Sequence, residues 1–468
     1  MRLSLFLLSY LLAGFLGAQP KPNVVLFVVD DLGWMDLGCQ GSEYYQTPNI
    51  DKLAESGVRF TNAYAACAVC SPTRAAILTG KYPARLMLTQ WLPAGRWDPD
   101  KHPMREGRFL RSLPLEEITL AEALRENGYS TWHVGKWHLG GAPFSLPEHH
   151  GFDVNVAGSD HGAPGSYFYP FKGSWQIPTT NIRVEKQTLP DGQEGEYLTD
   201  RLTDAAISLI ENRDEAKPFF LYFPYYNVHT PLQGKAALME RYWEVPKAER
   251  QGPPAYAAMI ESVDQSVGRV METIEKSGLK DRTLVVFTSD NGGFAKATDN
   301  SPLRANKGSH YEGGIRVPLI FAGPMVAHNE PDGFDLPSIS TDIFPTILAS
   351  TYTPMRESDG RNLAPILNGF GEVEYDPELP LFWHYPHYNR HPHSAPVSII
   401  RRGKWKLIKF LETGDFELYD LEKDIGETNN LAAENPDVLA ALKQQLADWK
   451  MKVRAEPMTP NSKLKIDP

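Results

Sequence analysis

Residues 23–29 form a near-continuous apolar run, the pattern of a parallel strand covered on both faces. Thr47-Pro48-Asn49-Ile50 sets a cap residue before a proline, which predicts a helix start, and Gly57 predicts its end. Thr119-Leu120-Ala121-Glu122 is a capping box, with Gly128 as the stop and a strand expected at 129–134. A helix over 199–213 leads into a strand over 218–223, whose leading Pro218 is tolerable at a strand's first residue. Met259, Ile260, Val263, Val267, Val270 and Ile274 share one face of a helix over 254–277, which leads into a strand over 283–288.

Repeated helix-then-strand units predict an α/β fold, a large and mostly parallel sheet sandwiched by helices. Past about residue 370 the pattern changes. A Pro- and His-rich stretch, 380–396, precedes short strands at 397–401, 404–409 and 416–420, and an amphipathic helix opens at Asn435-Pro436 and runs to about residue 453. This predicts a large domain over 19–370 and a smaller antiparallel sheet with one helix over 371–468. Residues 86–116 and 155–195 lack periodicity and are expected as long surface loops of the kind that shape a pocket.

The N-terminus changes the picture first. Met1-Arg2, an apolar run from Leu3 to Leu16 and small residues up to Ala18 read as a secretory signal peptide, 1–18, and the run is short for a bilayer span. A secreted or periplasmic protein with no membrane span after signal removal is expected. The net charge of −11 argues against nucleic acid or an anionic membrane as partner, so an anionic substrate would need a local cationic cluster. Three cysteines, Cys39, Cys67 and Cys70, exclude a disulfide-stapled fold; whether Cys39 and Cys67 pair is left open.

The chemically loaded residues follow strands, where open α/β sheets bind ligands. Asp30-Asp31 and Ser289-Asp290-Asn291-Gly292-Gly293 are acidic clusters at two strand ends, and two such clusters point to a hard cation, Ca²⁺ or Mg²⁺, rather than zinc. His138 and His229 lie beyond two further strands. In Cys70-Ser71-Pro72-Thr73-Arg74, Pro72 suits the first turn of a helix that Gly80 ends, which puts Cys70 at a helix N-terminus, where anions are favoured and a thiol pKa is lowered.

Cys-X-Pro-X-Arg followed by Ala-Ala-Ile-Leu-Thr-Gly resembles the signature of the type I sulfatases, within the alkaline-phosphatase-like superfamily. Asp30-Asp31-Leu32-Gly33, Thr47-Pro48-Asn49-Ile50-Asp51, Gly135-Lys136-Trp137-His138-Leu139-Gly140, Ser289-Asp290-Asn291-Gly292-Gly293 and Lys307-Gly308…Tyr311-Glu312-Gly313-Gly314 are similar to family landmarks in family order. The resemblance implies that a maturation enzyme, recognising Arg74, converts Cys70 to formylglycine, whose hydrated aldehyde attacks sulfur. It implies a cation, Ca²⁺ foremost, held by Asp30, Asp31, Asp290, Asn291 and the modified Cys70, with Asp290 helping to activate the attacking hydroxyl. Lys136 and Lys307 would face the sulfate oxygens. His229, or Lys307, would protonate the leaving alcohol, and His138 would take the proton whose loss expels sulfate.

Secretion and aromatic-rich loops (Trp91, Trp97, Tyr167, Phe168, Tyr169) suit a sulfated carbohydrate, with 4-sulfated galactose or N-acetylgalactosamine expected. His161 and His384 are added as sugar contacts. The alternatives are a phosphodiesterase or phosphonate monoester hydrolase of the same superfamily, and a glycan-binding protein whose Cys70 stays unmodified.

Overall fold

The computed structural model describes residues 21–92, 97–174, 183–184, 189, 192–324, 326–327, 333–369, 376 and 378–463. The expected signal peptide lies outside them. Seven strands build the main sheet: β1 Asn23–Val29, β2 Gly57–Phe60, β3 Ser130–Val134, β4 Val154–Val156, β5 Phe219–Pro224, β6 Thr283–Ser289 and β7 Leu319–Ala322. Their spatial order is β2-β7-β6-β1-β5-β3-β4. From β6 to β4 every pairing is parallel, and β7 and β2 add an antiparallel edge.

β1 is central and wholly buried, which its unbroken apolar run requires. Alternate side chains serve opposite layers. Val25, Phe27 and Val29 pack against α1 (Pro48–Glu55), α4 (Leu198–Glu211) and α5 (Pro254–Lys276). Val24, Leu26 and Val28 pack against α2 (Cys70–Thr79), α3 (Leu120–Glu126) and α6 (Ile343–Ser350). The sheet register sets Val29 beside Ser289, so β1 and β6 end level with each other.

Two sequence readings need correction. α1 ends at Glu55 with Ser56 as its cap, and Gly57 opens β2 instead of stopping the helix. Its reason is close approach: a Cβ on Gly57 would meet the Phe321 carbonyl oxygen of β7 at 2.2 Å. The stretch expected as a loop over 155–195 overlaps edge strand β4, whose three residues are too few to show a period.

The C-terminal part holds a four-stranded antiparallel sheet, β8 Leu381–Tyr385, β9 Val397–Arg402, β10 Trp405–Phe410 and β11 Phe416–Asp420, and one helix, α7 Pro436–Lys452. β8, the strand beyond the three expected, comes from the Pro- and His-rich stretch. Its core shares Cys67, Val69 and Ala76 with Trp383, Ile399, Leu407, Leu446 and Trp449, so this sheet backs directly onto the segment that leads into α2. The Trp383 indole also donates to the Ala65 carbonyl at 2.8 Å. All three cysteines are free thiols, so Cys39 and Cys67 do not pair.

One buried ion cluster ties the two sheets. The Lys406 ammonium of β10, fully buried, lies 2.9 Å from Glu312 and 2.8 Å from Glu427. Lys406→Met fills the same space but strands two carboxylates. It is expected to lower unfolding stability by about 3–5 kcal/mol, measured by urea titration; a loss under about 1 kcal/mol would show the cluster to be incidental.

Candidate active site

Five segments converge beyond the carboxyl edge of the main sheet. β1 delivers Asp30 and Asp31, β6 delivers Asp290 and Asn291, β3 delivers Lys136 and His138, and β5 delivers His229. Because β1 and β6 end in register, Asp30 and Asp290 emerge side by side. α2 supplies Cys70 as its first residue and Arg74 one turn on, and all ten of its residues are buried. The helix stops as expected at Gly80, in the left-handed region at φ 68°.

Three carboxylates and three cations interlock there. Arg74 donates through Nε to Asp290 at 2.8 Å, sets Nη2 2.7 Å from the same carboxylate and 3.8 Å from Asp30, and donates to the Lys136 carbonyl at 3.1 Å. Lys136 Nζ lies 2.6 Å from Asp30, and Lys307 Nζ lies 2.6 Å from Asp31. Burial drives Asp30 well above its ordinary pKa, with Lys136 opposing and Asp290 and Asp31 reinforcing. Burial resists ionisation of Asp31 too, yet Lys307, His229 and Lys136 together hold it well below the usual carboxylate range. Arg74 stays charged: its burial is outweighed by Asp290 and Asp30.

Two oxygen atoms in this cluster lack hydrogen-bond partners although buried, Asp30 Oδ1 and Asn291 Oδ1. Ligand atoms of Asp30, Cys70 and Asp290 lie within 4.8 Å of one another, the one such cluster among the described residues. With Asp30 Oδ1 unpartnered, two carboxylates in the set, the Asn291 oxygen beside them and no histidine, the site fits a hard divalent cation. Asn291 also donates to Asp31 at 2.8 Å, which turns its side-chain oxygen away from that bond.

The two histidines differ in their hydrogen-bonding. A carbonyl can only accept, so His138 must donate from Nε2 to the Leu92 carbonyl, 2.6 Å away, and its buried Nδ1 is left as an unpaired acceptor. His229 donates from Nδ1 to the Thr230 carbonyl at 2.8 Å and points Nε2 towards Asp31, 3.7 Å away. Burial, then Lys307, pushes the His229 pKa down to about 3, and burial with Lys136 lowers that of His138 well below the usual value, so both rings rest neutral.

A cavity of about 440 Å³ opens over this cluster, lined by Asp31, Cys70, His138, His229 and Lys307, with Trp91, Phe294 and His161 around it. Lys136 is not among the lining residues; it stands behind Asp30. His384, expected as a sugar contact, is elsewhere. It sits in β8 with Nδ1 2.7 Å from the Ser398 hydroxyl and Nε2 2.8 Å from the Glu456 carbonyl, a core histidine with both nitrogens engaged. Arg304 donates to the Tyr419 hydroxyl and the Glu427 carbonyl. The expected lowering of the Cys70 thiol pKa is also overturned: burial raises it, outweighing Lys136 and Lys307, and Asp30 and Asp290 add to the rise.

The sequence reading missed Lys296, which lines the cavity from the segment after β6, and Asn389-Arg390-His391-Pro392, which lines it from the C-terminal part. Asn389 donates to the Gly308 carbonyl at 3.0 Å, and His391 packs on Gly308, where a Cβ would meet its ring at 2.5 Å. The histidine-rich composition was the only signal. Which histidine faces the cavity depends on where β8 ends.

A family model described as Sulfatase matches residues 22–351, and one described as N-sulphoglucosamine sulphohydrolase, C-terminal, matches residues 305–452. A sulfatase of Formosa agariphila is 32% identical, over 94% of this chain and 90% of its own. Human arylsulfatase A is 35% identical, over 94% of this chain and 89% of its own. The crystal structure of Ps i-CgsB is 32% identical and covers 92% of each chain with a TM-score of 0.75; its complex with k-i-k-neocarrahexaose gives 0.74.

Arg74→Lys keeps the charge but forfeits the guanidinium fork. Expressed with Cys70 unmodified, so that maturation plays no part, this variant is expected to lose about 1.5–3 kcal/mol of stability per charge-assisted bond forfeited. Thermal unfolding checks it, and an unchanged melting temperature would show that the fork is dispensable.

Proposed function

The chain belongs to the sulfatase family and is a sulfuric ester hydrolase, and from that premise we propose that its substrate is an O-sulfated carbohydrate, 4-sulfated galactose or N-acetylgalactosamine foremost. The observation that carries this reading is the cavity itself. Its volume is in the range that encloses small ligands, its floor is polar and charged, and Trp91 and Phe294 offer flat apolar faces of the kind sugar rings pack against. The relative Ps i-CgsB, solved with a neocarrahexaose, supports a glycan. The leader-like residues 1–18 support a secreted or periplasmic site of action. A two-metal phosphodiesterase would need a second ligand cluster, and the described residues hold one.

Cys70 is read as the precursor of formylglycine, made by a maturation enzyme that recognises Arg74. As a thiol held neutral by burial it would be a poor nucleophile; as a hydrated aldehyde it presents hydroxyls. Asp30, Asp31, Asp290, Asn291 and the modified residue would hold Ca²⁺, with Mg²⁺ as second choice. When bound, the cation would add the net positive charge that the three carboxylates and three cations cancel among themselves, and would act as Lewis acid towards sulfate.

The chain's own groups then divide the work. Lys307 presents a fixed ammonium at the cavity floor to the sulfate oxygens, and Lys136, from behind, holds Asp30. His138 Nδ1, a buried acceptor with no partner, is read as the base that takes a proton from the second hydroxyl of the modified residue, a role its unused lone pair supports. His229 Nε2 must first gain a proton before donating to the leaving oxygen, whereas Lys307 already carries one. The general acid is therefore assigned to the His229–Lys307 pair.

In active protein, the peptide containing Cys70 is expected to carry an aldehyde mass, and Cys70→Ala should release no sulfate from a panel of sulfated sugars. An active enzyme with an intact thiol would sink the formylglycine reading, and a modified protein that cleaves only phosphodiesters would overturn the substrate class. Exhaustive chelation should abolish sulfate release, with Ca²⁺ restoring more than Mg²⁺ at equal concentration; activity that survives chelation would remove the cation from the proposal.

A further inference from the structure

A second cavity, about 790 Å³, runs between α7 and the edge of the C-terminal sheet and shares no lining residue with the first. Four of its lining residues are cations: Lys409 of β10, Lys443 and Lys450 of α7, and Arg454 just past the helix end. The helix makes this placement inevitable. Leu442, Leu446, Trp449 and Val453 turn into the core, so Lys443, Ala447, Lys450 and Arg454, three or four residues apart, share a face turned away from it. Ala440 and Ala447 keep that face low between the cations.

Among the described residues none of the four meets a carboxylate in an ion pair. The single acid in the lining, Glu456, is held by Arg108 at 2.7 and 3.0 Å. Two acids of the β10–β11 end bond elsewhere: Glu417 accepts from Tyr311 and Tyr419, and Glu412 from Tyr388. Lys409 and Lys443 instead lie over the Phe416 ring, 5.7 and 4.4 Å from its centre. Lys450 is half-buried, and burial, then the charge of Lys409, lowers its pKa. Mutually repelling cations without an ion-pair partner among the described residues, gathered in one groove of a chain carrying −11 overall, form an arrangement that an anion would stabilise.

We propose that this groove is a second binding site, for a stretch of a sulfated polysaccharide, which holds the polymer while the catalytic cavity acts on it. Lys443 and Lys450 stand two helical turns apart, about 10 Å, which asks for a ligand with repeating charges instead of a lone sulfate. The Phe416 ring with Leu446, Ala447, Met451 and Pro457 supplies the apolar floor that sugar rings need and that a bare polyphosphate would not use. The choice of a glycan over other polyanions rests on the substrate reading above.

The test compares the full-length protein with a triple variant, Lys409→Ala, Lys443→Ala and Lys450→Ala, and with the single variant Lys443→Glu, which alters an exposed residue and keeps the question answerable if the triple variant fails to fold. Binding is measured by calorimetry against dextran sulfate, neutral dextran and duplex DNA. The parent is expected to bind dextran sulfate and not dextran; the triple variant should lose at least tenfold in affinity, and the single variant at least threefold, while turnover of a small aryl sulfate stays within twofold. Dextran sulfate affinity within twofold of the parent in these variants would overturn the site. Equal, lysine-dependent affinity for DNA would overturn the glycan as its ligand. Lysine-dependent binding of dextran sulfate by a protein that releases sulfate from no sugar would support the groove while refuting the substrate reading.

Discussion

Everything at the carboxyl edge of the main sheet depends on one constraint: charges taken out of water must be matched where they stand. Asp30, Asp31 and Asp290 occupy a place where an isolated carboxylate would not stay ionised, and Arg74, Lys136 and Lys307 reach them from α2, from the end of β3 and from the 307–314 segment. Each cation therefore fixes its own segment as well as a carboxylate. Arg74, bonding at once to Asp290 and to the Lys136 carbonyl, joins three of the contributing segments.

The second sheet belongs to this arrangement. Its core extends under Cys67 and Val69, and its 389–392 segment closes on Lys307-Gly308 from the other side. The segment leading into Cys70 and the Lys307 segment are thus both braced from the C-terminal part. This accounts for the buried Lys406 between Glu312 and Glu427: the main-domain carboxylate it grips, Glu312, starts the turn that follows Lys307 in the chain.

Much of this was legible in the residues. The strand runs at 23–29 and 283–288, and the acidic pairs that follow them, located the edge of the sheet and the carboxylates gathered there, because covered parallel strands stay mostly apolar and turn acidic only where they end. What escaped notice obeys distance instead of period. Gly57 reads as a helix stop but serves a close strand contact. β8 hides among prolines and histidines because His384 points inward and finds both partners there. The Cys70 thiol shows the same limit: a helix N-terminus predicts a lowered pKa, and only the surroundings reveal that dehydration is the larger effect. His391 and Arg390 reach the cavity from some 80 residues beyond Lys307, a proximity that no local pattern encodes.

The complete burial of α2 has a consequence for the order of events in the life of the chain. Cys70 is 4% exposed and Arg74 not at all; Arg74 is held by Asp290, and the 67–69 segment just before Cys70 packs with Trp383. An enzyme that must grip an extended Cys70–Arg74 segment finds none in the finished molecule. Any such editing belongs to the newly made polypeptide, before residues near 290 and 383 have come to rest against it. Were Cys70 matured as proposed above, a copy that folded first would be closed to that step for as long as it stayed folded.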